Sequence, residues 1–340
     1  MGLKVEYLKK EFARILPIPK EFRRLWWGFT EKRYFLHKLN NLEVKCIIPN
    51  RSEKSGNTGP AFCIVHWNAL DFLLLNIMQL ELIYPNSKIY VLDNGSQELC
   101  LEELANTLRQ FKNVTLFSVR SDAKSDHTAG LQVLLNYSAM QSDEFSVFLD
   151  QDCILCHNID DLLMKFRSQK DLLLIGARDY VRIPKDYVDR QPFINAIGDR
   201  KLLRAAYKMV HGSLMIMQPT RIVKLFGKIA LSTHLRAWEE ARDGNWMYEQ
   251  YHSISYRTRG HILYLETKMH SEIPLLTSYS YQDIVYAYHA WYSSRTILLS
   301  DQDSLDGIPV SLLLNLRKEA YEYMERIYES TLRATRANPN

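Results

Sequence analysis

Two carboxylates stand two positions apart at the end of a short apolar run, Ser146-Val147-Phe148-Leu149-Asp150-Gln151-Asp152. Side chains alternate faces along a strand, so Asp150 and Asp152 would point the same way. Two acids so placed can share one divalent cation or one phosphate-bearing ligand. An Asp-x-Asp in a turn can also simply cap the next helix.

The elements around this motif alternate. Ala61–Val65, Lys88–Leu92, Val114–Val119 and Phe145–Leu149 read as buried strands, and Leu70–Leu82, Glu98–Phe111 and Ala129–Met140 as the helices between them. Strict succession of strand and helix predicts a largely parallel sheet with helices on both faces, whose ligands bind at the carboxyl ends of the strands. Three polar clusters fall at such ends: His66-Trp67-Asn68, Asp93-Asn94-Gly95-Ser96 and Asp150-Gln151-Asp152. Further on, Leu172–Gly176, Ser213–Met217 and His261–Leu265 read as strands, Arg221–Phe226, Trp246–Thr258 and Ser311–Arg333 as helices. The aromatics Tyr279, Tyr281, Tyr286, Tyr288, Trp291 and Tyr292 suit either stacking on a sugar or core packing.

Four pieces in this order resemble the GT-A glycosyltransferases, the family 2-like group in particular. They are Ile64-Val65-His66-Trp67-Asn68, Val91-Leu92-Asp93-Asn94-Gly95-Ser96, the DxD motif Asp150-Gln151-Asp152, and Gly212-Ser213 before an apolar strand; the likeness spans roughly residues 61–295. The resemblance implies a GT-A, Rossmann-like α/β fold: a mixed, mainly parallel sheet with helices on both faces, plus helical N- and C-terminal extensions. It implies metal-dependent, inverting transfer of a sugar from a nucleotide-diphosphate sugar to an acceptor hydroxyl on a glycan, lipid-linked or small-molecule acceptor. A hard cation, Mn2+ or Mg2+, held by one or two carboxylates keeps positions open for phosphate oxygens. By the resemblance Asp152 is the ligand and Asp150 turns toward metal or ribose. His289 becomes a third ligand or a pyrophosphate contact, against the plainer reading of an interface histidine among aromatics. Arg295 is placed to clamp a phosphate oxygen. Asp93 resembles the acid that recognises base and ribose, its other reading being a turn-forming Asx, with His66, Asn68, Asn94, Ser96 and Gly212 beside the nucleotide sugar. The general base that inversion requires falls among Asp243, Glu240 and Glu239, with Asp243 favoured although an acid there also suits helix capping.

Composition bounds the alternatives. At 340 residues and 46% hydrophobic the chain can bury a full core. The expected organisation is a basic amphipathic N-terminal extension and loop over 1–58, a catalytic domain over 59–300 with halves near 61–160 and 161–300, and a C-terminal helix over 301–340. Residues 1–40 hold ten Lys/Arg against four Glu, which leaves the rest of the chain at −2. That distribution argues against a nucleic-acid partner. It suits either an amphipathic helix resting on an anionic membrane face or one packing its aromatic side on the main domain. The longest apolar stretch, Ala69–Tyr84, is interrupted by Asp71, Asn76, Gln79 and Glu81, so no span is expected. Five irregularly spaced cysteines suit reduced thiols, and with no leader sequence read at the N-terminus the expected location is cytoplasmic, at most touching the inner membrane face. Cys153-Ile-Leu-Cys156-His157 matches a haem-attachment signature, but that chemistry requires export, and no second cysteine pair completes a zinc site. No Gly-x-Gly-x-x-Gly or Walker sequence supports an oxidoreductase or P-loop kinase. Two other readings stand beside the transferase. One is a GT-A-fold nucleotidyltransferase, which would need a Gly-rich basic loop this chain lacks; the other is a non-catalytic nucleotide-sugar-binding or membrane-peripheral scaffold protein.

Overall fold

The computed structural model describes residues 39–49, 59–97, 100–120, 127–178, 210–227, 231, 261–291, 304–305 and 308–337. Their elements in chain order are β1 (Glu43–Ile48), β2 (Ala61–His66), α1 (Leu70–Ile83), β3 (Ile89–Asp93), α2 (Leu101–Leu108), β4 (Val114–Arg120), α3 (His127–Met140), β5 (Ser146–Asp150), β6 (Cys153–Leu155), α4 (Asp160–Ser168), β7 (Leu174–Arg178), β8 (Val210–Met217), α5 (Pro219–Phe226), β9 (Ile262–Met269), β10 (Leu276–Tyr281), β11 (Ile284–Ala290), the small hairpin β12 (Ser304–Leu305) and β13 (Ile308–Pro309), and α6 (Val310–Ala337). The amphipathic N-terminal helix and the Trp246–Thr258 helix expected from sequence lie outside the described residues.

The long sheet runs β1-β4-β3-β2-β5-β8-β7-β9-β10-β11-β6. Its parallel part is smaller than expected. It comprises β4-β3-β2-β5 and the β7-β9 pair, while every other pairing is antiparallel. The α/β class holds, and helices cover both faces because the strands are apolar on both faces. In β2, Phe62 and Ile64 pack with Leu73, Ile77 and Leu80 of α1, Leu104 and Leu108 of α2, and Leu162 and Phe166 of α4. The alternate residues Ala61, Cys63 and Val65 pack with Leu131, Leu134 and Leu135 of α3 and Ile222 of α5. Residues 43–48, placed by sequence in the N-terminal extension, form the edge strand against β4.

Chain connectivity bends the sheet back on itself. β5 lies in its middle and β6 at its end, yet only Gln151 and Asp152 separate them. This two-residue turn ties the parallel core to β11, whose His289 is registered against Cys153. Behind the turn lies a third cluster, in which Leu313, Leu316, Ala320 and Met324 of α6 meet Phe72 and Leu75 of α1, Ile154 of β6 and Leu276 of β10. The 3–4 residue spacing of those α6 side chains is that of one helix face.

Candidate metal centre

The apolar run 146–149 ends β5 at Asp150, and the turn delivers Asp152 beside it. Sequence alone had the acids sharing one face of a strand. The structure instead brings them together through the turn, and adds His289 from β11. One ligand atom each from Asp150, Asp152 and His289 lie within 4.8 Å of one another. His289 Nε2 stands 3.3 Å from Asp152 Oδ1 and 3.5 Å from Asp150 Oδ2. An octahedral ion with bonds of ~2.1 Å separates adjacent ligands by about 3 Å, so this donor set fits a single divalent cation. Two carboxylates with one imidazole suit Mn2+, with Mg2+ less at home beside a nitrogen.

The turn is gripped from three sides. Gln151 Oε1 accepts from Trp67 N–H at 2.9 Å and bonds His66 Nδ1 at 2.7 Å, while its Nε2 donates to Trp67 O at 3.0 Å. Asn76 of α1 donates through Nδ2 to the carbonyls of Asp150 and Gln151 at 3.3 and 3.4 Å. Ala290 N–H donates to Asp152 O at 2.9 Å. The carboxylates are therefore held by their backbone before any ligand arrives, which is what a cation site requires of its supporting groups.

Electrostatics follow from burial. Loss of hydration holds the Asp150 carboxyl above the usual carboxylate range; His127 and His289 oppose this, and Asp152 adds to it. His289 moves the other way for an imidazole at low exposure. Burial disfavours its charge, but the charge and hydrogen bond of Asp152, with Asp150 beyond, outweigh that and raise it. Negative charge is crowded here, and a cation relieves it.

The loops after β2 and β3 are bolted together beside this centre. Asn68 N–H donates to Ser96 Oγ at 3.0 Å, Gln97 N–H to Asn68 Oδ1 at 2.8 Å, and Asn94 N–H to His66 O at 2.8 Å. Asp93, registered against His66, accepts from Ser96 N–H through Oδ1 at 3.2 Å, so one of its oxygens makes the Asx-type turn. Asn68 and Ala69 take positive φ of 56° and 57°, a left-handed pair in which Ala69 carries strain that asparagine tolerates better. Gly212 is buried in β8 next to Ser213. Arg295, Asp243, Glu240 and Glu239 lie outside the described residues.

Four residues near the acids carried no role at a metal from sequence. His127, the first residue of α3, has Nε2 3.4 Å from Asp150 Oδ1. Gln151 was only the spacer of the motif, and Asn76 only an interruption of an apolar helix. Tyr279, read as one aromatic among several, has its hydroxyl 3.0 Å from His289 Nδ1. Polar residues inside the apolar Leu70–Ile83 segment were the available signal, since a buried amide must find partners. Cys153 is fully buried in β6 below the site, while Cys156 is partly exposed and the loss of hydration pushes its thiol up to about 12, so neither is an activated thiolate.

No protein-family model and no curated protein sequence matches the chain. Solved structures similar to it include glycosyltransferases. GlyE of Streptococcus pneumoniae TIGR4 matches with 12% identity and a TM-score of 0.37 over 62% of this chain and 45% of its own, so the chain spans less than half of that protein. TarS 1–349 of S. aureus in complex with UDP matches with 10% identity and a TM-score of 0.38, over 82% and 72%. Mannosyltransferase PcManGT from Pyrobaculum calidifontis in complex with GDP-Man and Mn2+ matches with 13% identity and a TM-score of 0.34, over 93% and 84%. At these scores the likeness carries no argument about the site, which rests on its own geometry.

Proposed function

We propose that the chain is a metal-dependent glycosyltransferase that moves a sugar, with inversion, from a nucleotide-diphosphate sugar to the hydroxyl of a glycan, lipid-linked or small-molecule acceptor. The observation that carries this is the convergence of Asp150, Asp152 and His289 at the carboxyl end of the parallel strands. Asp152 and His289 Nε2, with Asp150, would hold Mn2+ or Mg2+. The cation when bound supplies charge neutralisation for a diphosphate leaving group.

The remaining roles belong to the chain's own groups. The bolted loops carrying His66, Asn68, Asp93, Asn94 and Ser96 border the place where a nucleoside would lie, with Asp93's second carboxylate oxygen available for ribose or base. Gly212 and Arg295 complete the donor side, Arg295 as a phosphate clamp. Asp243, before Glu240 and Glu239, takes the proton of the acceptor hydroxyl. Among the described residues no helix is long and apolar enough to cross a membrane. The reading places the enzyme in the cytoplasm, with the basic residues 1–40 as a peripheral contact to an anionic membrane face.

The test is release of nucleoside diphosphate from UDP-, GDP- and dTDP-sugars in the presence of Mn2+, with the wild type beside Asp152→Asn. Slow hydrolysis of at least one donor is expected, and its loss in the variant with an unchanged circular dichroism spectrum. No release from any donor, or equal release by the variant, overturns the proposal.

A further inference from the structure

An imidazole that binds a cation through Nε2 must carry its proton on Nδ1, and what Nδ1 touches decides whether that tautomer is held. In this protein Nδ1 of His289 lies 3.0 Å from the phenol oxygen of Tyr279. That phenol in turn lies 2.5 Å from Ser213 Oγ. Tyr279 is 1% exposed and Ser213 fully buried, so bulk water cannot stand in for either. The geometry spans the bend of the sheet: Ser213 comes from β8, beside β5, while Tyr279 and His289 come from β10 and β11. On the hairpin Thr277 pairs with His289 and Tyr279 with Ala287, which makes Tyr279 the diagonal neighbour of the histidine. The two rings lie 6.2 Å apart at 24°, so the phenol limits rotation of the imidazole as well as bonding it.

We propose that Tyr279, backed by Ser213, is a positioning residue of the cation site. Its oxygen accepts Nδ1–H, its own hydroxyl donates a hydrogen bond to Ser213 Oγ, and the Nε2 lone pair is thereby committed to the space between Asp150 and Asp152. The inference rests on the cation reading above and names the residues that make His289 a ligand in it.

The experiment is a Mn2+ titration of the full chain, followed by loss of the free-ion electron paramagnetic resonance signal, for wild type, Tyr279→Phe, His289→Gln and the double variant. Tyr279→Phe should weaken Mn2+ binding ~10–100-fold, the usual range for removing the outer partner of a ligating histidine. In the His289→Gln background the same change should cost nothing further, because Tyr279 acts only through that ring. A mere packing role would cost the same in both backgrounds, and that result, or wild-type affinity in Tyr279→Phe, overturns the inference. Ser213→Ala, which keeps the phenol, repeats the cycle with a smaller loss in the same direction should Tyr279→Phe fail to fold; equal losses in the two backgrounds there also overturn it. A wild type that takes up no Mn2+ at all refutes the cation reading itself, and so is told apart from a failure of the Tyr279 role.

Discussion

Replacing Gln151 with alanine should destabilise the fold by about 2–4 kcal/mol. Gln151 is 5% exposed, and its amide makes three bonds, accepting at 2.7 and 2.9 Å and donating at 3.0 Å. Each such bond contributes about 1 kcal/mol net, and the truncation takes one hydrogen bond from His66 Nδ1 and two from the Trp67 backbone at the end of β2. The lost methylene adds about 0.8 kcal/mol, and recovered side-chain freedom returns part of the total. Equilibrium urea unfolding of the metal-free protein, followed by circular dichroism, measures this. Gln151→Met separates the terms, since methionine keeps the volume and drops all three bonds; it should fall within about 1 kcal/mol of alanine. Alanine within about 0.5 kcal/mol of wild type would refute the claim that the middle residue of the motif is the clamp between β2 and the turn. Recovery of stability by methionine would show that packing, not hydrogen bonding, is what Gln151 contributes.

His270 gives a pH dependence away from the acids. Its Nδ1 accepts from the N–H groups of Glu272 and Ile273 at 3.2 and 3.3 Å; burial, against Glu272 and with Arg326, holds the ring below its usual range. The unfolded chain then takes up the proton first, so the stability of this turn is complete above about pH 6.5 and lost as pH falls through the lower folded value. Hydrogen exchange at 272–276, corrected for intrinsic rate, should accelerate between pH 7 and 5.5, and His270→Asn should remove that dependence; a flat profile in wild type contradicts it. Arg317 places one nitrogen, Nη2, 2.8 Å from both oxygens of Asp71, with its guanidinium over Phe72 at 5.0 Å. Because one nitrogen reaches both oxygens, Arg317→Lys keeps a charge beside Asp71 but loses the flat stacking on Phe72, so it should cost less than Arg317→Ala, which should cost about 1 kcal/mol in urea unfolding; equal losses would mean that the guanidinium's own geometry is what stabilises the pair. A methyl at Gly176 would overlap Val210 Cγ1 and come within 3.1 Å of Leu214 O, so Gly176→Ala should lower stability by ~1–3 kcal/mol, and an unchanged melting temperature would show that β7 and β8 can part freely.

What was legible in the sequence was whatever local pattern encodes. The apolar run 146–149 before Asp150, the alternation through β4, and the long amphipathic α6 all carry their own period, and each lies within a few residues of its expected place. What escaped depends on pairing between distant segments. β6 is three residues long, and its registration of Cys153 against His289 is set by a strand more than a hundred residues away. His289 entered the account only through a family likeness, and Tyr279 could not be told from core because Leu276–Tyr281 carries hydroxyls on both faces, with Tyr279 and Tyr281 together on one of them. His127 stood two residues before the expected start of α3, where helix boundaries are hardest to place. Asn76 and Gln79 were visible as polar intruders, but their targets, the carbonyls of Asp150, Gln151 and Leu155, are fixed only by how α1 lies across the turn.

The central claim is that Asp150, Asp152 and His289 hold one cation that receives a diphosphate. A crystal soaked with Mn2+ and nucleoside diphosphate, read by anomalous scattering, tests it most directly. The account predicts one peak at ~2.1–2.3 Å from an Asp152 oxygen and His289 Nε2, with phosphate oxygens on its open side. An empty position between those three side chains, with the nucleotide bound elsewhere or not at all, would contradict it.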